Sequence, residues 1–409
     1  MLAPMGNSPK TIMAKNTHLE HLEDDIFNSG PAGVTNSINF LKSLRDMLTE
    51  GDGQTAMKVT TKWDGAPAIV CGRNPQDGRF FVGTKSVFNK QNPKVVYSEA
   101  DADRLYPGQT VGSILKDCLQ RLSTLPIQGV LQGDLLYQKT PSVIMLEGQR
   151  NYSFRPNTIT YTIPVDSELG NKVGASKLGI VFHTEYSGKT MQDLAAGFGA
   201  NVSGLQGKPD VAVFSSEFTN VGGAANLSMV EKANVDRTIL SAERNLRQGQ
   251  SFVKGIQDVG KGPFTLPALF KVYFNQVVRE GRVPPANIMS KNFCCFIDAK
   301  FNSEIGKKKT AKSRLEWMKR RNEAIKYLNT NRSAMHSALD GFENLMDAKV
   351  MIINKLTKIK SVGTFLEEEN GLRATAPEGF VAIKDGAALK LVDRLEFSRA
   401  NFTAAKDWG

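Results

Sequence analysis

Met57-Lys58-Val59-Thr60-Thr61-Lys62-Trp63-Asp64-Gly65 marks the change of period on which the fold turns. Before it, Ile38, Leu41, Leu44 and Leu48 recur at helical spacing, which predicts a helix over 35–48 with one apolar face. THLE at 17–20 has the form of a helix-opening capping box, a hydroxyl with Glu three residues on, and 1–16 is expected to be a disordered lead-in. After it, MKVTTKW, AIVCG, RFFVGTKSV, GVLQGDLLY, TITYTIPV, LGIVFHTEY and VAVFSS are short runs of β-branched and aromatic residues, the pattern of strands. One helix is expected among them at 111–122.

Near residue 225 the helical period returns. Stretches 227–258, 265–281, 310–328 and 332–359 suit helices, and the last carries an apolar stripe of Met335, Leu339, Phe342, Met346, Ile353 and Leu356. The chain then returns to β: EGFVAIK and AALKLVD flank Asp385-Gly386, a dipeptide that tolerates the positive φ of a type I′ hairpin turn. The expected organisation is therefore α+β, with an N-terminal helical segment (1–55), a β-rich core (56–224), a helical insertion (225–365) and a closing β-hairpin (366–409).

Among 409 residues the net charge is +11, a balance that favours a polyanionic partner. No run of 18 apolar residues occurs, so no membrane span is expected, and the N-terminus lacks the apolar stretch of a signal peptide. The four cysteines, Cys71, Cys118, Cys294 and Cys295, form no C-x-x-C pair. That argues against a zinc site or a disulfide framework and fits a reducing cytoplasm.

Lys62-Trp63-Asp64-Gly65 carries the sharpest chemistry. A lysine at a strand end, with glycine just beyond, presents an amine to a pocket. Free lysine titrates at about 10.4, so a working nucleophile is expected to have cationic neighbours or burial that lower this value. An exposed lysine beside an Asp-Gly turn would produce the same four letters, so the motif needs companions.

The companions follow in order: GTKS (83–86), GVLQGDLLY (129–137), LGIVFHTEY (178–186), EGFV (378–381) and LKLV (389–392). With KWDG (62–65), this series resembles the covalent nucleotidyltransferase superfamily of ATP-dependent polynucleotide ligases and capping enzymes. It is most like RNA ligases of the kind tailed phages encode. The resemblance covers about 56–190 and 376–394 and leaves the helical block aside. It implies an antiparallel-sheet, ATP-grasp-like adenylation domain that uses ATP with Mg²⁺ or Mn²⁺. Lys62 would be the nucleophile, and Asp64 and Gly65 would shape its loop at the nucleotide. Lys85 would touch phosphate or acceptor. Asp134 stands where the family usually has Glu, near ribose or metal, and Phe182 where an aromatic stacks on the base. Glu378 would help hold the metal, with Asp134, and Lys390 would engage the α-phosphate and depress the Lys62 pKa by like-charge repulsion. Lysines and a metal suit this chemistry, because charge develops on the phosphate oxygens.

Two positions depart from the family. Asp134 is one methylene shorter than Glu. Val392 occupies the place of a second lysine in the last motif, for which Lys384 or Arg394 are the available substitutes. Of the histidines, His183 adjoins Phe182 and is placed to line the pocket. His18 and His21, with Glu20, Glu23, Asp24 and Asp25, fit a solvated amphipathic helix better than a metal face.

Residues 300–332 hold 11 Lys/Arg and 3 Asp/Glu, a balance of +8, with Trp317 among them. Such a surface rewards a phosphate backbone through counterion release, and an exposed aromatic stacks on a base. Only 19 residues follow Lys390 (409 minus 390), too few for the OB-fold domain that DNA ligases and capping enzymes carry there. No G-x-x-x-x-G-K-[ST] loop occurs. The expected function is an ATP-dependent RNA ligase that works through lysyl-AMP and joins 5′-phosphate to 3′-hydroxyl ends. A nucleotide-binding protein with a degenerate ligase fold and an unusual DNA ligase are the alternatives.

Overall fold

The computed structural model describes residues 19–50, 58–146, 148–205, 209–216, 226–358, 363–368, 371–374, 378–384 and 387–399. The 1–16 lead-in, Thr17, His18 and the Asp385-Gly386 turn lie outside them. Helices α1 (Asp25–Asn28) and α2 (Pro31–Glu50) precede β1 (Lys58–Lys62). There follow β2 (Ala68–Arg73), β3 (Phe80–Gly83), α3 (Glu99–Leu105), α4 (Thr110–Leu122), β4 (Val130–Tyr137), β5 (Ser142–Leu146), β6 (Gln149–Phe154) and β7 (Ile159–Pro164). Then come α5 (Glu168–Ala175), β8 (Leu178–Ser187), β9 (Ala195–Phe198) and β10 (Val211–Ser215). The helical block is α6 (Met229–Gln248), α7 (Gln250–Gly255), α8 (Leu266–Glu280), α9 (Ala286–Lys307), α10 (Ala311–Thr330) and α11 (Arg332–Leu356). Two hairpins close the chain, β11 (Gly363–Glu368) with β12 (Gly371–Ala374), and β13 (Gly379–Lys384) with β14 (Ala387–Leu391).

The strands form three sheets, ordered β1-β13-β14, β10-β8-β4-β2-β3 with β9 beside β8, and β12-β11-β7-β6-β5. Every pairing among them is antiparallel except β8 with β10. The chain is thus α+β with antiparallel sheets. The closing segment serves two sheets, because β11 joins β7 while β13 joins β1.

In the first sheet, side chains alternate between two environments. Val59, Phe380, Ala382, Leu389 and Leu391 face the helices and share one apolar core with α2, α6, α8, α9 and α11. The expected stripes are buried there: Ile38, Leu41, Leu44 and Leu48 on α2, and Met335, Leu339, Phe342, Met346, Ile353 and Leu356 on α11. The N-terminal helices and the block from 226 onward therefore pack as one layer. Thr60, Lys62, Val381 and Ile383 face the other way, into a cavity against the second sheet.

The segment of His21, Glu23 and Asp24 is not the solvated face expected. Glu23 and Lys349 are fully buried and joined at 2.7 Å. Arg394 reaches Asp24 at 2.7 Å, Glu23 at 3.5 Å and the amide of Asn275 at 3.1 Å. Burial acts to raise Glu23, but Lys349 and Arg394 outweigh it and hold the carboxyl below its ordinary value. His21 is half-buried, with its Nδ1 enclosed, and desolvation together with Arg394, Lys349 and Lys390 holds it well below its ordinary value. The network ties the N-terminal segment, α8, α11 and the turn after β14 together. Arg394 is thereby committed to structure.

Removing one member of a buried ion pair strands the other, at a typical cost of about 3–5 kcal/mol. Lys349→Met should lower unfolding free energy by that order in denaturant titration, and adding Glu23→Gln should recover part of it. A single-variant loss below about 1 kcal/mol would show that the pair does not hold these segments.

Candidate active site

Lys62 ends β1, with Gly379 opposite it on β13. Gly379 sits at φ +152°, and a Cβ there would come within 2.3 Å of the Leu391 carbonyl oxygen. Glycine is required at this crossing, because a side chain would run into the backbone of Leu391 and Val392. Glu378, the residue before it, pairs with the Lys62 amine through Oε2. Lys390 lies opposite Val381, which lies opposite Thr60, so Lys390 and Lys62 share one face of the sheet.

The loop after Lys62 is held by Asp64. Its carboxylate accepts from the backbone N–H of Thr158 (2.6 Å) and Ile159 (2.9 Å) and from the Asn157 side-chain amide (2.7 Å). Its own N–H donates to the Tyr161 hydroxyl at 2.7 Å. Asp64 therefore shapes the loop from below rather than lining the cavity. Gly65 lies against β4: a Cβ there would fall 2.6 Å from the Cβ of Asp134. The close approach sets Asp134 beside the loop, opposite Ala68 of β2 and Val181 of β8.

The cavity between the two sheets measures about 60 Å³ and is lined by Lys62, Trp63, Asp134, His183 and Phe198, with Leu19 entering from the N-terminal side. His183 Nε2 stands 3.5 Å from Asp134, and its Nδ1 is 2.8 Å from the Thr184 hydroxyl. Trp63 packs on Tyr161 and Phe214 and has a buried indole N–H without a partner.

Lys62, Asp134 and Glu378 come together as expected from the motif order, with Lys390 on the same sheet face. Four expectations are corrected. Phe182 is fully buried on the opposite side of β8, in the core formed with α4, so it cannot stack on anything in this cavity. Strand parity explains this: Val181 and His183 face the cavity, and Phe182, between them, faces away. The aromatics that line the cavity are Trp63, the residue after Lys62, and Phe198, which the sequence marked only as an aromatic between glycines in AAGFGA. Second, neither substitute for the missing lysine is available. Lys384 donates to Ser43 at 2.6 Å, Arg394 is engaged with Asp24, and Val392 is buried with Trp63 in one apolar cluster. Third, Lys85 begins a short 3₁₀ turn after β3 and is exposed, outside the cavity lining.

The fourth correction concerns proton affinity. Burial acts to lower Lys62, but Glu378, then Asp134 and Asp64, outweigh it and hold the amine above its ordinary value. Glu378 is raised, by burial and by Asp64 and Asp134, against the pull of Lys62. The lowered lysine is Lys390, brought to about 8 by burial and by Lys62. The carboxylates around Lys62 thus favour its ammonium form, and Lys390 is the cleft lysine whose value is lowered, to about 8.

Glu378 and Asp134 are the carboxylates available to a metal ion. Among the described residues no three His, Cys, Asp or Glu side chains group as ligands. Two carboxylates fit Mg²⁺, which completes its octahedron with water and phosphate oxygens, better than zinc, which wants three or four protein ligands.

The basic stretch forms the distal part of the α9–α10 hairpin, where no residue from 302 to 323 is buried. Lys309, Lys312, Arg314 and Lys319 are exposed there, beside Leu315. Trp317 is not a free stacking platform. It packs edge-on against Phe264 and is covered by Lys308 at 4.4 Å.

The fold and site thus define an α+β protein with a lysine–carboxylate pair between two sheets. Residues 16–406 match a family of unknown function (DUF6267), and the chain belongs to that family. No curated protein and no solved structure matches it. No helix among the described residues is long and apolar enough to cross a membrane.

Glu378→Gln should remove the main cause that raises Lys62, so more of its amine is neutral at pH 8–9. Competitive acetylation read by mass spectrometry should then show faster modification of Lys62 than in the parent. Equal rates would mean that Glu378 does not hold the proton on Lys62.

Proposed function

We propose that the chain is an ATP-dependent polynucleotide ligase acting on RNA ends, with Lys62 as the residue that carries AMP. The observation that supports this reading is the convergence on one sheet-to-sheet cleft of Lys62, Asp134, Glu378 and Lys390, drawn from four of the six ordered motif blocks. A covalent nucleotidyl transfer needs a nucleophilic nitrogen, cations for the phosphate oxygens and carboxylates for a metal, and this set supplies each.

In the proposed first step the Lys62 nitrogen attacks the α-phosphorus. The N–P bond forms, the bond to the pyrophosphate oxygen breaks, and the amine gives up one proton. Because Lys62 is held protonated in this state, the charges around it must rearrange before attack. Lys390, as a cation, stabilises the α-phosphate oxygens. Glu378 and Asp134 would hold Mg²⁺, which when bound offsets the charge that builds on the phosphates. Phe198 and His183 form the wall against which a base would lie. AMP then passes to a 5′-phosphate end, and a 3′-hydroxyl displaces it.

One observation favours a second reading, a nucleotide-binding protein without turnover. Val392 is buried where the family has its second lysine, and neither Lys384 nor Arg394 replaces it. ATP labelled at the α-phosphate separates the two. The parent should become covalently labelled in denaturing gels, and Lys62→Ala should lose the label entirely. A parent that binds ATP and never labels establishes the second reading, and a Lys62→Ala variant that still labels removes Lys62 from the chemistry.

RNA would be held by the α9–α10 hairpin. Neutralising phosphates on a single strand makes log K fall by roughly 0.7 per phosphate for each unit of log salt. Changing Lys307, Lys309, Lys312 and Lys319 to Ala together should weaken RNA binding and flatten that slope, with self-labelling nearly unchanged. Unaltered affinity and slope would assign the hairpin to another partner.

A further inference from the structure

The N-terminal strap beside Lys390 does more than anchor the chain end. The Glu20 carbonyl accepts from the Lys390 backbone N–H at 2.9 Å, and His21 and Lys390 form a parallel bridge. The preceding residue, Leu19, enters the Lys62 cavity. The Glu20 side chain leaves in another direction and takes the Lys271 ammonium of α8 on both carboxylate oxygens, each at 2.7 Å. Among the described residues no carboxylate is in ion-pair contact with the Lys390 amine, although Glu20 and Lys271 both act on it electrostatically.

We propose that Lys271 and Lys390 can hold the phosphates of one polyphosphate beside the Lys62 cavity, and that in this state the Glu20 carboxylate covers Lys271, from which the polyphosphate displaces it. The proposal rests on the reading of the cavity as a nucleotide site, and it assigns to the helical block a direct part in that site.

Four considerations carry it. A cavity of about 60 Å³ is far below the roughly 300–1,000 Å³ of ordinary ligand sites, so a nucleotide enters only when a wall moves. Leu19 lines the cavity and is continuous with Glu20, so withdrawing one draws the other from Lys271. Glu20 brings one negative charge to a place framed by Lys271, Lys390 and, further in, Lys62, whereas a polyphosphate brings several. Finally, Lys271 supplies a second cation that neither Val392, Lys384 nor Arg394 provides. The ion pair of Glu20 with Lys271 is partly exposed, so its loss is an accessible step rather than an unfolding.

The probe is inorganic tripolyphosphate, titrated calorimetrically into the full chain. Glu20→Gln keeps the backbone carbonyl that pairs with Lys390 and removes the competing charge, so binding should tighten by about 5-fold, the size of an exposed ion pair. Lys271→Ala should weaken it by a similar factor, and the double variant should resemble Lys271→Ala. Circular dichroism checks that each variant folds. Tripolyphosphate that does not bind the parent, binds Glu20→Gln no better, or is indifferent to Lys271→Ala overturns the pair. If the pattern holds but no lysyl-AMP forms, the anion pair stands and the ligase reading falls. If lysyl-AMP forms while both variants bind tripolyphosphate like the parent, the pair falls and the ligase reading stands.

Discussion

The pairing of β1 with β13 is the constraint on which the rest depends. It joins the segment ending at Lys62 to one beginning 316 residues beyond it, at Glu378, and makes a sheet with two unlike faces. One face is apolar and completes the core of the helices; the other carries Lys62 and Lys390 toward the second sheet. Burial of Phe380, Ala382, Leu389 and Leu391 against α2 and α11 fixes the register. A slip of one residue would turn every one of these side chains over, exposing the apolar set and sending both lysines into the helical core. The polar cleft is thus positioned by a hydrophobic contact on its reverse side.

Elements with strong periodicity are legible in the residues themselves. The stripes on α2 and α11 are buried as spaced, and the runs on either side of Asp385-Gly386 pair as a hairpin with Lys384 opposite Ala387. Phe182 marks the limit of such reading. The run LGIVF is apolar on both faces of β8 because one face packs on α4 and the other on β7, so alternation holds no information about which residue meets the cleft. Glu23 and Asp24 are misleading for a different reason. Charged residues near a chain end ordinarily mean solvent, and only the tertiary partners Lys349 and Arg394, far off in sequence, make their burial tolerable.

Charge composition is a similarly partial guide. The basic stretch is a surface as expected, but its charges are divided. Lys307 and Lys308 pair with Glu304, Arg320 with Glu316 and Arg321 with Asp298, leaving Lys309, Lys312, Arg314, Lys319 and Lys326 as exposed cations of the hairpin outside the described ion pairs. Trp317 binds the two helices of the hairpin to their base instead of offering a ring outward. At the cleft, likewise, the number of lysines predicts a lowered amine. The contact with Glu378 decides which lysine has it, and the answer is Lys390.

The order of the strands also dictates a history for each molecule. As the chain leaves the ribosome, the helices and the second and third sheets acquire most of their partners, but β1 meets β13 only after residues 379–384 have emerged. Domains generally fold from the N-terminal side during synthesis, and contacts of great sequence separation form late. The strand bearing Lys62 therefore waits with an unsatisfied edge while the 316 residues from Lys62 to Glu378 are made, and the cleft cannot form before them. A chain that stops before the β13–β14 hairpin cannot hold Lys62 against Glu378, so whatever chemistry the pair performs is withheld until that hairpin has been made.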